Sequence, residues 1–128
     1  MKHTGLTIFV AEDSLLYQQL LRRMLQSVPA ETVFFTSGEK LLLQLPHTKP
    51  DLAILDYNLE GQLTGLDTLL AMRRRYPGME AILFSTCTYL PGPENYQRYG
   101  YFEYIEKNQQ GLYMLHQRVV AKIDQLHQ

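Results

Sequence analysis

Leu52-Ala53-Ile54-Leu55-Asp56 is a continuously apolar run that ends on a carboxylate. Its length and lack of alternation suit a strand covered on both faces, as in a parallel sheet. Stretches that read as buried strands also precede charged residues on either side of it. Leu6-Thr7-Ile8-Phe9-Val10-Ala11 ends on Glu12-Asp13, and Tyr104-Ile105-Glu106 ends on Lys107. Carboxylates and a lysine at the carboxyl ends of parallel strands converge on one crevice. Clustered carboxylates repel one another, and a divalent cation bound by oxygen ligands would neutralise them. Such a set suggests phosphoryl chemistry on a carboxylate.

The 128 residues are expected to form one domain with its core over about 6–126. An apolar fraction of 45% and a charged fraction of 20% are ordinary for a globular protein. The net charge of -1, from 12 basic and 13 acidic side chains, argues against a dedicated nucleic-acid binder. No apolar run approaches the roughly 20 residues of a membrane span. Met1-Lys2-His3-Thr4-Gly5 leads into the first strand without a cleavage-site pattern. The single cysteine, Cys87, rules out an internal disulfide, and a reducing cytoplasm is the expected compartment.

Strands are expected at about 6–11, 32–36, 51–56, 80–85 and 102–106, alternating with helical segments. Ser14 can cap a first helix with an apolar stripe of Leu16, Leu20 and Met24, flanked by Leu21 and Leu25. Ser37 can cap a second, from Gly38 to about Leu45. A third runs from about Leu66 to Tyr76 and stops before Pro77. Pro91-Gly92-Pro93 leaves room for a short fourth helix beginning near Pro93. The last helix covers about 111–127, with Leu112, Leu115, Val119, Ile123 and Leu126 inward. Five β/α units with right-handed crossovers give an α/β, doubly wound, five-stranded parallel sheet with helices on both faces. In the order 2-1-3-4-5, strands one and three flank the switch point and place Asp13 beside Asp56.

Glu12-Asp13, Asp56, Ser85, Tyr104 and Lys107, at their spacing, make the chain resemble the receiver domain of two-component response regulators over nearly its whole length. The sheet order is that of the flavodoxin-like fold, for which the chemotaxis receiver is a known example. The resemblance implies that Asp56 is the phosphoacceptor, taking a phosphoryl group from a histidine kinase or phosphotransfer protein. It implies Mg2+ (or Mn2+) bound directly by Asp13 and through water by Glu12, with Asp56 and the backbone carbonyl of Asn58 completing the metal set. Ser85 would bond a phosphoryl oxygen, with Thr86 the competitor for that role. Lys107 would pair with Asp56 and then with the phosphate. Tyr104 stands where the family has a switch aromatic that turns inward when the hydroxyl moves to the phosphate.

The chain departs from the family pattern beside the site. Four and eight residues after Asp56 stand Glu60 and Thr64, and the glycine falls at Gly65, so the intervening loop is one residue longer. Glu60 is expected to alter the charge there. Thr86 follows Ser85 where a smaller residue is usual, which would narrow the path to Asp56 and place Thr86 among the switch residues. Asn108 follows Lys107 where a cis-proline motif is common. Tyr89, Tyr96, Tyr99, Tyr101, Phe102 and Tyr104 put six aromatics into sixteen residues, either as a partner surface or as cover for the sheet. Arg73-Arg74-Arg75 reads as a solvated helix end, and Cys87 as an inert thiol.

The expected function is therefore a phospho-receiver with no output domain in these 128 residues and no enzymatic activity beyond its own phosphorylation and dephosphorylation. It would signal to a downstream protein or output domain through the face of its fourth helix, fifth strand and last helix. A homodimer through that face is an available arrangement, and no nucleic acid or membrane contact is expected. Two alternatives stand beside it. One is a degenerate receiver serving as a phosphorylation-independent scaffold. The other is a haloacid-dehalogenase-type phosphatase, which Asn58 disfavours because that chemistry needs a second acid two residues after the first.

Overall fold

The computed structural model describes residues 5–86 and 99–127. Five parallel strands, β1 (Thr7–Ala11), β2 (Glu31–Phe35), β3 (Leu52–Leu55), β4 (Ala81–Ser85) and β5 (Glu103–Glu106), lie in the order β2-β1-β3-β4-β5. The described helices are α1 (Leu15–Leu25), α2 (Gly38–Gln44), α3 (Gly65–Arg75) and α4 (Gln109–Leu126). The short helix expected near Pro93 falls outside the described residues, so α4 here is the last helix of the chain.

Strand side chains alternate between two cores. Ile8, Val10, Leu52, Ile54, Ile82, Phe84 and Ile105 join Leu21 and Leu25 of α1 and Leu115, Val119 and Ile123 of α4. Phe9, Ala11, Ala53, Leu55, Ala81 and Leu83 join Leu41 of α2 and Leu66, Leu69 and Met72 of α3. The continuous apolarity of β1, β3 and β4 thus reflects burial on both faces. Each large apolar side chain removed from water contributes about 1.5–3 kcal/mol.

Helix starts follow the sequence closely. Ser14 Oγ accepts from Tyr17 N at 3.3 Å and Ser37 Oγ from Lys40 N at 3.1 Å. Asn108 caps α4, its side chain accepting from Gly111 N at 2.6 Å. Thr64 and Asp67 form a reciprocal capping box that starts α3.

Two helical faces require correction. On α1 the inward set is Tyr17, Leu21, Met24 and Leu25, whereas Leu16 is 61% exposed. A stripe at i, i+4, i+8 and its neighbour at i+1 are equally periodic, and only the crossing angle to the sheet selects one. On α4, Leu126 is the last residue of the helix and is 47% exposed.

Candidate functional site

Register decides what meets at the carboxyl end of the sheet. Ala11 pairs with Leu55, so the next residues, Glu12 and Asp56, emerge side by side. Their backbones remain tied to the sheet, Glu12 N donating to Phe35 O at 2.8 Å and Asp56 N to Ala11 O at 3.0 Å. Ser85 pairs with Glu106, and Lys107 N donates to Ser85 O at 2.9 Å. Four strands therefore deliver Glu12, Asp56, Ser85 and Lys107 to one place. All four are buried.

Lys107 Nζ lies 2.6 Å from Asp56 Oδ2 and 2.7 Å from Glu12 Oε1. The second Glu12 oxygen accepts from Ser14 N at 3.0 Å, which links the site to the first turn of α1. Burial pulls the Lys107 ammonium down, but its hydrogen bonds to Asp56 and Glu12 outweigh that and hold it above its ordinary value. Burial pushes the Glu12 carboxyl above its ordinary value, against the hydrogen bonds from Lys107 and Ser14.

Glu12, Asp13 and Asp56 each present a carboxylate oxygen within 4.8 Å of the others. Three carboxylates and one ammonium leave two negative charges at this spot. Opposite ligands of an octahedral Mg2+ are about 4.2 Å apart. The cluster is close to that size, its donors are hard oxygens, and Asp13 is exposed and able to adjust. The residues present therefore fit a divalent cation. Asn58 is exposed on the loop two residues past Asp56.

Thr86 is exposed while Ser85 beside it is fully buried. Tyr104 is 36% exposed, and its hydroxyl donates to Ser85 O at 3.1 Å. The Ser85 carbonyl thus accepts from both Tyr104 and Lys107.

The longer loop after β3 is fastened at Glu60 and Gln62 to the start of α2. Glu60 pairs with Lys40 at 3.1 Å and accepts from the Thr36 hydroxyl, so its charge is directed to α2 rather than to Asp56. Glu39 accepts from Gln62 N at 2.7 Å. The displaced glycine has a steric reason: a Cβ at Gly65 would stand 2.1 Å from the Asp56 carbonyl oxygen. Any side chain there would push on the backbone that carries Asp56.

Other expectations divide. Arg73 is not a solvated helix end. Its guanidinium brackets the carbonyls of Met79, Tyr99 and Tyr101, while Arg74 and Arg75 are exposed. A planar fork with five donors suits such bracketing, and nothing in the run of three arginines marks which one turns inward. Among the described aromatics, Tyr99 and Phe102 cover the sheet against the α2–α3 core, while Tyr101 is 76% exposed. Cys87, Tyr89 and Tyr96 lie outside the described residues.

Tyr17 was missed as a site residue. Its ring centroid is 4.7 Å from Lys107 Nζ, and it meets Phe84 edge to face at 5.9 Å. No local signal marked it, because the contact joins the first turn of α1 to the residue after β5.

A model of the response regulator receiver domain matches residues 8–119. The protein-glutamate methylesterase/protein-glutamine glutaminase of Trichodesmium erythraeum is 32% identical over 83 residues, which span 63% of this chain and 23% of that protein. Among solved structures, a CheY-like response regulator receiver domain protein from Methanospirillum hungatei superposes with a TM-score of 0.76 at 20% identity, covering 94% of each chain. The Vibrio cholerae chemotaxis protein CheY4 superposes with a TM-score of 0.71 at 23% identity, covering 89% of this chain and 98% of its own. These two likenesses are of fold. The match across residues 8–119, on a parallel sheet of order 2-1-3-4-5, means that this chain belongs to the response regulator receiver domains of two-component signal transduction.

Proposed function

We propose that the chain accepts a phosphoryl group on Asp56 from a histidine kinase or phosphotransfer protein and passes the signal on by changing the face around β5 and α4. The observation that carries this reading is the buried Asp56 carboxylate, 2.6 Å from Lys107 Nζ and grouped with Glu12 and Asp13. An Asp56 oxygen attacks phosphorus, the bond from phosphorus to the donor's imidazole nitrogen breaks, and the departing imidazole takes up a proton from solvent. Lys107 supports the negative charge that develops on the phosphoryl oxygens, in a place from which water is largely excluded. The Ser85 hydroxyl bonds a phosphoryl oxygen in this reading. Asp13, Asp56 and the Asn58 carbonyl, with Glu12 through water, would hold Mg2+ or Mn2+, which would supply the charge that lets two anions approach.

Tyr104 is the switch element in this reading. Its hydroxyl rests on the carbonyl of the residue whose side chain meets the phosphate. A shift of Ser85 toward a phosphoryl group therefore alters what Tyr104 can bond. The chain itself is a signalling module, and the activity in the name of the Trichodesmium relative is not transferred to it.

Intact mass after incubation with acetyl phosphate and Mg2+, with Asp56→Asn alongside, tests the reading. One phosphoryl addition is expected on the wild type only, and none without Mg2+. No addition, combined with no binding of beryllofluoride in Mg2+, would replace the reading with the scaffold alternative. Thr86→Ala is expected to speed both phosphorylation by small donors and self-hydrolysis. Unchanged rates in both directions would remove Thr86 from the site.

A further inference from the structure

Tyr17 lies against the charged cluster, and the phosphoryl-transfer reading gives it no role. An ammonium has three N–H donors. Two of those on Lys107 serve Asp56 and Glu12, at 2.6 and 2.7 Å, and the Tyr17 ring stands 4.7 Å from the same nitrogen. That distance is well inside the roughly 6 Å over which a ring face attracts a cation. The ring is itself fixed, by Phe84 edge to face at 5.9 Å and by its backbone N–H on Ser14 Oγ at 3.3 Å. Phe84 immediately precedes Ser85, so one aromatic contact joins α1, β4 and the lysine that follows β5.

The geometry points to Tyr17 as a positioning residue that holds the Lys107 ammonium at the Asp56 carboxylate. This inference rests on the phosphoryl-acceptor reading above. A lysine stem has four rotatable bonds and gives up rotamer entropy when held in one place. Two carboxylates compete for this one. When Asp56 bonds to phosphorus, its own charge falls and the phosphoryl oxygens carry the new charge farther out. Glu12, 2.7 Å from the ammonium, is unaltered by the transfer and attracts it away from them. The Tyr17 ring attracts the ammonium from a third direction and shields it from water, so the lysine stays within reach of the reacting oxygens.

Two substitutions separate this role from ordinary packing. Tyr17→Phe keeps the ring face and removes the hydroxyl. Tyr17→Leu keeps an apolar side chain against Phe84 and removes the ring face; Tyr17→Met serves in its place if the leucine variant does not fold. With acetyl phosphate and Mg2+, phosphoryl addition is expected to slow roughly tenfold in Tyr17→Leu and to stay within about twofold of wild type in Tyr17→Phe. A second readout needs no phosphoryl donor. The NMR signal of the Lys107 ammonium, assigned by its loss in Lys107→Ala, is expected to be ring-shifted in wild type and Tyr17→Phe. In Tyr17→Leu it is expected to move toward that of a solvated lysine.

An unmoved ammonium signal in Tyr17→Leu overturns the inference, as does an unchanged rate. A loss in Tyr17→Phe as large as in Tyr17→Leu also overturns it, because the hydroxyl or the fit would then be the agent. If the wild type takes up no phosphoryl group, the Asp56 reading falls, while the ammonium signal still decides whether Tyr17 holds Lys107.

Discussion

At the carboxyl end of the sheet, Glu12, Asp56 and Lys107 are each less than a tenth exposed and meet at 2.6 and 2.7 Å. At the amino end, Glu80 and Lys122 meet at 3.1 Å with 52% and 23% of their side chains exposed. There, Lys49 and Arg75 flank the Tyr76 ring beside an open cleft of about 400 Å3. The residue types are similar and the physics differs. In water, screening and side-chain entropy reduce an ion pair to about 0–1 kcal/mol. Out of water, each charge carries a desolvation cost of several kcal/mol that only close partners offset. The carboxyl end also holds one carboxylate too many for its lysine even before the exposed Asp13 is counted. That surplus is what gives the end a reason to bind a cation, and the amino end has no such surplus in its paired Glu80 and Lys122.

The largest contrast should come from breaking each pair. Lys107→Ala leaves Asp56 and Glu12 buried together and should cost about 3 kcal/mol of stability in metal-free buffer, with part of the loss recovered when Mg2+ is added. Denaturant unfolding with and without Mg2+ checks this. A loss below that of an exposed pair would erase the distinction between the two ends. Gly65→Ala places a Cβ against the Asp56 carbonyl and should cost about 2 kcal/mol by overpacking. Wild-type stability in this variant would mean that the backbone at Asp56 yields easily. Thr64→Ala removes one half of the α3 capping box and should lower stability by about 1 kcal/mol, seen as a shifted urea midpoint at unchanged slope.

Lys122→Ala at the amino end should change stability by less than about 0.5 kcal/mol, read from the same midpoint. The smallest effect is one of pH. Glu39 and Glu60, on the rim of the carboxyl end, lie below the ordinary glutamate value of 4.5. The Gln62 backbone N–H is the main cause for Glu39, and the Thr36 hydroxyl and then Lys40 for Glu60. A carboxyl lowered in the folded state contributes stability above its unfolded pKa and loses it as pH falls through the folded one. The melting-temperature gap between wild type and the Glu39→Gln, Glu60→Gln double variant should therefore be present at pH 7 and close below about pH 4.5. A gap that persists at pH 3 would assign the attachment of this loop to something other than these carboxylates.

Much of this was legible in the chain. Continuous apolar runs ending on Glu12, Asp56 and Ser85 specify parallel strands and the end at which they deliver polar groups, because burial on both faces leaves no room for alternation; the shorter Tyr104-Ile105-Glu106 before Lys107 is buried only at Ile105. Ser14, Ser37 and Pro77 mark helix boundaries through local chemistry that needs no tertiary context. The shift of the glycine to position 65 signalled a longer loop, though not where that loop is fastened.

What the chain could not disclose depends on distance across the fold. Leu16 and Leu21 are equivalent in a periodicity count, and the packing angle of α1 on the sheet buries one and exposes the other. Arg73, Arg74 and Arg75 are interchangeable in sequence, yet only Arg73 points to the carbonyls of Met79, Tyr99 and Tyr101. Glu60 stands near Asp56 in sequence and bonds to Lys40 instead. Tyr17 lies ninety residues from Lys107, and no local pattern relates them. By itself, the sequence determined the strands, the caps and the residues delivered to the crevice, because these follow from hydrophobic period and backbone hydrogen bonding along the chain. Only the tertiary structure decided which ring meets the lysine and which arginine turns inward, because those contacts form between segments that the chain does not place side by side.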